Sequence, residues 1–178
     1  QRIHTTNEST SGFSILVAAR GTGTAKIESG ASQLLEVGYP EVMTGSTSSG
    51  VLKVGYADTA GTSRVKAADQ NIFAGSILVE SGSGNGSIAE LGAVNSQVIT
   101  TLKGGITVQG GSGANTVAKI GLPLNQTILA NGDVDVIGGL GSNAIAQIVS
   151  GSGSQTLYSS FGDIALENEG AGVVEVTS

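Results

Sequence analysis

Residues able to carry chemistry are few in this chain. There is one histidine, His4, and no cysteine. Zinc sites and nucleophilic triads need several such side chains converging, and His4 has no second histidine or thiol to join. A lone histidine near an end reads as solvent-facing. Three aspartates stand out. Asp133 and Asp163 hold equivalent places in neighbouring segments, and Asp135 lies two residues beyond the first. Stacked carboxylates serve acid/base work or, with further oxygen ligands, a calcium ion. No additional base or ligand recurs with them, so they read as solvated outward residues beside turns. The glycine-rich strings match no phosphate-binding loop, because no Gly-Lys-Ser/Thr follows a strand pattern. Asn7-Glu8-Ser9, Asn85-Gly86-Ser87 and Asn125-Gln126-Thr127 fit the glycosylation sequon, a coincidence expected where Ser, Thr and Asn abound. No catalytic, cofactor-binding or metal-binding residue is assigned, and the expectation is a protein that is not an enzyme.

Composition points to a scaffold instead. Of 178 residues 29 are glycine, 39% are hydrophobic and only 12% are charged. A disordered chain would show low hydrophobicity and high charge, the reverse of this one. Two prolines and no strict triplet exclude collagen. No apolar run approaches the roughly 18 residues of a membrane helix, so no membrane insertion is expected. The net charge of −6 offers no basic patch for phosphates, so nucleic acid is not an expected partner.

The elements that position these residues emerge from a repeat. Gln33, Gln70, Gln97, Gln126 and Gln155 are each followed two residues later by an aliphatic, and the last intervals are 29 and 29. The interval from Gln33 to Gln70 is 37, which places a loop insertion at about 38–50. A second column runs through Ile15, Leu52, Ile77, Ile106, Val134 and Ile164. A third reads Ala25-Lys-Ile27, Val65-Lys-Ala67, Ala89-Glu-Leu91, Ala118-Lys-Ile120, Ala146-Gln-Ile148 and Val174-Glu-Val176. Each segment alternates apolar and polar residues over four or five positions, the pattern of a half-buried strand. Units of about 29 residues with three short strands predict a parallel β-solenoid. Its coils stack about 4.8 Å apart, and one coil alone cannot bury its apolar face. Residues 1–178 then form one all-β domain of about six coils, with Gly/Ser/Asn corners such as Ser81-Gly-Ser-Gly-Asn85.

The register makes two further claims. The glutamines, Gln1 included, stack as an amide ladder on or beside the inward face. On the outward face Lys26, Lys66, Glu90, Lys119, Gln147 and Glu175 form a column. In it Glu90 and Lys119 make an exposed pair worth at most about 1 kcal/mol.

Gln1-Arg2-Ile3 matches the third strand of a coil, and Val173-Val174-Glu175-Val176 matches the second. The expectation is that one end supplies what the other lacks. Gln1, Arg2 and Ile3 would then meet Val173, Val174 and Val176 of a second copy, by strand addition that does not close. Adjoining coils of a longer polypeptide would give the same phase. Surface glycans are a further possible partner, though six Phe/Tyr residues and no Trp supply no aromatic platform.

Segments such as Gly105-Ile-Thr-Val-Gln-Gly-Gly-Ser-Gly, Asn125-Gln-Thr-Ile and Phe161-Gly-Asp-Ile-Ala-Leu resemble repeats of filamentous haemagglutinin-like exoproteins. These are large adhesins of Gram-negative bacteria exported by two-partner secretion. The resemblance implies a right-handed parallel β-helix, an extracellular or cell-surface location, and a structural or adhesive role. The family's N-terminal secretion domain has no counterpart in these residues. The reading is a structural extracellular filament joined head to tail, with an adhesin stalk contacting glycans or host and biofilm surfaces as the alternative.

Overall fold

A computed structural model describes residues 1–5, 15–19, 21–38, 50–56 and 60–178. The described residues contain strands and no helix. In chain order the strands are β1 (Arg2–Thr5), β2 (Ile15–Val17), β3 (Thr24–Glu28), β4 (Ser32–Val37), β5 (Val51–Gly55), β6 (Thr62–Ala74), β7 (Ser76–Glu80) and β8 (Ile88–Thr101). They continue as β9 (Ile106–Gln109), β10 (Val117–Gly121), β11 (Asn125–Ala130), β12 (Val134–Gly138), β13 (Ile145–Val149), β14 (Gln155–Ser159), β15 (Ile164–Asn168) and β16 (Val173–Thr177).

All pairings are parallel, and each strand lies on the equivalent strand of the next unit. The result is a β-solenoid of about five turns. One wall is the six-stranded sheet β15-β12-β9-β7-β5-β2. The other two walls belong to one ten-stranded sheet that folds around a corner. Like stacks on like: Ala118 lies between Ala89 and Ala146, and Ile120 between Leu91 and Ile148. Leu35, Ile72, Ile99 and Ile128 form one fully buried inward column, and Val54, Val79, Val108 and Val136 form another. This packing supplies most of the apolar burial, which contributes about 25 cal/mol per Å² of apolar surface.

Two coils depart from three separate strands. β6 and β8 run unbroken through the second and third positions, with one register shift between Ala67 and Asp69. Neither corner there carries a proline or a residue of positive φ. In the next coil the break between β10 and β11 is marked by Gly121 and Leu122, with positive φ of 151° and 69°, and by Pro123. Proline cannot donate to the ladder, and positive φ ends an extended run.

The outward column is also corrected. Lys26 pairs with Arg64, and Lys66 pairs with Glu28. Val65 therefore fills the inward slot between Ile27 and Leu91, and Ser63 takes the place of the small alanine. An alternating pattern looks the same after a shift of two residues, so periodicity cannot separate the two frames. Ser63 is buried, and its hydroxyl accepts the Ala19 N–H at 2.9 Å.

Corners are close-packed along the axis. A Cβ at Gly141 would collide with the Gly113 carbonyl oxygen, and one at Gly105 with that of Asp133. Residues 39–49 of the expected insertion lie outside the described residues, as does the Asn7 sequon.

Candidate functional site

The most regular polar feature is a line of amides through the core. Gln33 Nε2 donates to Gln1 Oε1 at 3.0 Å. Gln70 donates to Gln33, Gln97 to Gln70, Gln126 to Gln97 and Gln155 to Gln126, each at 2.8 Å. Gln33, Gln70, Gln97 and Gln126 are 1–2% exposed. The second amide hydrogen turns to a backbone carbonyl, as Gln97 does to Leu91 O at 3.2 Å. All five bonds point the same way, each N–H toward the preceding coil. The line thus begins with the free Nε2 of Gln1 and ends with the free Oε1 of Gln155.

A second amide line was not found in the sequence. Asn143 Nδ2 donates to Asn115 Oδ1 at 3.1 Å, and Asn85 Oδ1 accepts the Ala114 N–H at 3.0 Å. Asn115 and Asn143 adopt φ of 54° and 55°, a conformation asparagine tolerates. The signal was the recurrence of Asn at 85, 115 and 143 in otherwise divergent corners.

Charge is divided along the axis. All eight Lys and Arg lie within residues 1–119, beside eight of the fourteen acidic residues. That stretch is neutral, so the whole net charge of −6 belongs to residues 120–178. Its acids are Asp133, Asp135, Asp163, Glu167, Glu169 and Glu175.

The aspartates do stand together. Asp133 Oδ1 accepts the Asp163 N–H at 2.9 Å. Asp135 lies one coil below Ala165. Partial burial, then Asp133, then Glu167 hold the Asp135 carboxyl above its usual range. Among the described residues no group of three or more His, Cys, Asp or Glu is placed to hold a metal ion.

His4 does not face solvent freely. Its Nδ1 lies 3.2 Å from Glu36 Oε2, and its side chain is 22% exposed. Arg2 Nε donates to the same carboxylate at 2.7 Å. Glu90 differs more sharply from its expected place in an exposed pair. It is 2% exposed, with Arg64 Nε at 2.5 Å and Lys119 Nζ at 3.3 Å. The carboxylate is thus a buried hub between two cations. Beside this hub lies an open groove of about 350 Å³ lined by Glu28, Ser29, Arg64, Lys66, Ala67 and Val94.

No family model matches the chain, and searches of curated proteins and of solved structures return no match. Functional inference therefore rests on the geometry of the solenoid.

Among the described residues the two end faces carry strands with a neighbour on one side only. β1 pairs only with β4, and β14, β15 and β16 pair only with β11, β12 and β13 among the described residues. Inward-type residues are left open there: Ile164 is 44% exposed and Leu166 51%, and Val173 beside them is 50% exposed. Val174 and Val176 are half-buried on the same face, and Ile3 and Ile27 on the opposite one. Gln1 and Arg2 are exposed beside Ile3.

Proposed function

We propose that this protein is a structural fibre module. Its β-solenoid coils are continued at the end faces by further copies of itself, in the extracellular or cell-surface setting that the haemagglutinin-like repeats imply. One observation supports this above the rest. The last coil presents Ile164 and Leu166 in positions that preceding coils bury, at Leu52, Ile77, Ile106 and Val134 and at Val54, Val79, Val108 and Val136. Apolar surface of this kind, on an open strand edge, favours addition of another coil. A face that fits the opposite face and not itself gives an open, non-closing assembly. The role is mechanical, and we read the chain as non-enzymatic. Asp133, Asp135 and Asp163 occupy an outward face with no base opposite them among the described residues.

Electron microscopy of the purified chain tests the reading. Filaments are expected, with an axial repeat of about 29 Å, six strand spacings of about 4.8 Å. Monodisperse monomers by analytical ultracentrifugation at high concentration would overturn it.

A second reading is an adhesin stalk, whose end faces are covered by adjoining coils of a longer polypeptide and whose side binds glycans. The groove beside Arg64 and Lys66 favours it, because its lining joins these two cations with Ala67 and the exposed Val94, against one acid, Glu28. A glycan array that includes acidic polysaccharides separates the two. Retention that is lost in Lys66→Glu supports the stalk.

A further inference from the structure

The head-to-tail reading leaves the docking register open, and the side chains at the two faces specify one. We infer that two copies dock with β1 of one laid on β14 of the other and β3 laid on β16. Gln1 then extends the neighbour's amide line, and Lys26 stands over the neighbour's Glu175. This inference rests on the proposed assembly and names its geometry.

Three observations converge on this register. The first is the sense of the amide line. Its leading end offers the Gln1 Nε2 donor, and its trailing end offers the Gln155 Oε1 acceptor, because every internal bond has the same direction. A leading face therefore complements a trailing face. Two trailing faces would set acceptor against acceptor.

The second is the columns. Ile3 shares a column with Leu35, and Leu157 continues that column above Ile128. Placing Gln1 on Gln155 brings Ile3 onto Leu157, Arg2 onto Thr156 and His4 onto Tyr158 in the same step. Ala25 and Ile27 fall on Val174 and Val176, each an apolar residue continuing its inward column. Alternate backbone groups of β1 and β14 point away from their only neighbours, so the edges can continue the parallel ladder. β2 falls on β15 in the same step, Ile15 over Ile164 and Val17 over Leu166. Ile15 is half-buried and Val17 buried, so the burial gained there is mostly on the β15 side.

The third is charge. Glu175 belongs to the stretch that holds the whole net charge of −6, which contains no cation. The outward residue of the first described second-position strand is Lys26, whose side chain is 59% exposed and, among the described residues, paired only with its own strand's Glu28 at 3.0 Å. Opposite charges directly facing on adjacent strands favour pairing, and like charges disfavour it.

The chain contains no cysteine, so engineered pairs report register without interference. Arg2→Cys and Thr156→Cys proteins are mixed and oxidised under mild conditions. A disulfide-linked product of twice the chain mass is expected, because opposed residues on neighbouring strands lie within disulfide reach. Arg2→Cys mixed with Tyr158→Cys, two residues out of register, should give little product. Thr156→Cys alone should give none through like faces. A Thr127→Cys/Thr156→Cys double variant, whose residues face each other within one chain, verifies that the geometry cross-links. As a second measurement, Lys26→Glu or Glu175→Lys should each raise the critical concentration for assembly several-fold, and the double exchange should restore it. Filaments that cross-link through 2–158 or 156–156, or not at all, would overturn this register while leaving assembly intact. Chains that remain monomeric would overturn the assembly reading and this inference with it.

Discussion

Replacing Gln97 by leucine or by glutamate separates a buried amide line from a set of glutamines that merely sit near one another. Gln97 is 1% exposed, donates to Gln70 at 2.8 Å and to Leu91 O at 3.2 Å, and accepts from Gln126 at 2.8 Å. Leucine leaves the Gln70 carbonyl oxygen and one Gln126 N–H without partners, and the flanking amides cannot bridge two strand spacings, about 9.6 Å. Each orphaned buried group costs about 1–3 kcal/mol, and the apolar side chain offsets part of this. The net loss is about 2–4 kcal/mol. Glutamate can still accept from Gln126, but at neutral pH it turns oxygens toward Gln70 Oε1 and Leu91 O, both acceptors. A buried charge without a donor costs several kcal/mol. The Gln97→Glu protein is therefore expected to be less stable than Gln97→Leu by at least about 2 kcal/mol at pH 7.

Acid should reverse that order. The new carboxyl has a folded pKa above its unfolded value of about 4.3, because burial and the two facing acceptors favour the protonated form. The folded state keeps a proton that the unfolded state releases. Stability of the variant is then greatest below the unfolded value and falls as pH rises through the folded one. The protonated carboxyl can donate to Gln70 and accept from Gln126, as the amide does. Urea midpoints by circular dichroism, each taken against the parent protein at pH 4 and pH 7, measure both effects. Equal midpoints for the two variants at pH 7, or a Gln97→Glu deficit that does not shrink at pH 4, would refute the reasoning.

Three other perturbations have defined outcomes. Gly141→Ala drives a Cβ into the Gly113 carbonyl and should cost more than about 2 kcal/mol, whereas Gly30→Ala enters open space and should stay within about 0.5 kcal/mol. Thermal melts of the pair check this, and similar melting points contradict the close corner packing. Glu90→Ala strips the buried hub from Arg64 and Lys119. Because Arg64 is 35% and Lys119 17% exposed and can rehydrate, the loss should be about 2 kcal/mol, below the 3–5 of a fully buried pair. A loss under about 0.5 kcal/mol in urea titration would contradict a hub. Asp135 is held above its usual range, so its contribution is present below its unfolded pKa and lost as pH rises through the folded one. Asp135→Asn should flatten the acid side of the stability profile, and an unchanged difference in Tm between pH 4 and pH 7 would count against that.

Much of the fold is legible in the chain because neighbours in space are equivalent residues in the repeat. Gln97, Gln126 and Gln155 recur at 29 residues and stack directly. Ala89, Ala118 and Ala146 recur at 29 and 28 residues and stack in the adjacent wall. What was misread has local causes. Ser63-Arg64-Val65 lost its place to Val65-Lys66-Ala67 because alternation is blind to a shift of two residues, and a buried serine hides its inward slot. The continuity of β6 and β8 goes with the absence of proline and of positive φ at two corners, which a periodic pattern does not register. The burial of Glu90 and the approach of His4 to Glu36 depend on how the wall bends and on side chains a coil away. Sequence position alone carries neither.

Because every coil is held to the next by in-register strands lying across the axis, the rod has an unusual response to load. Tension along the axis would peel one coil at a time, each detaching as a unit whose partners are all in the adjacent coil. A released coil of about 29 residues extends to about 100 Å, replacing about 4.8 Å of rod. Stretching should therefore show repeated small ruptures of similar height instead of a single break. Each coil lost becomes about twentyfold longer while the remaining coils stay folded, and the fibre absorbs work in steps set by the repeat.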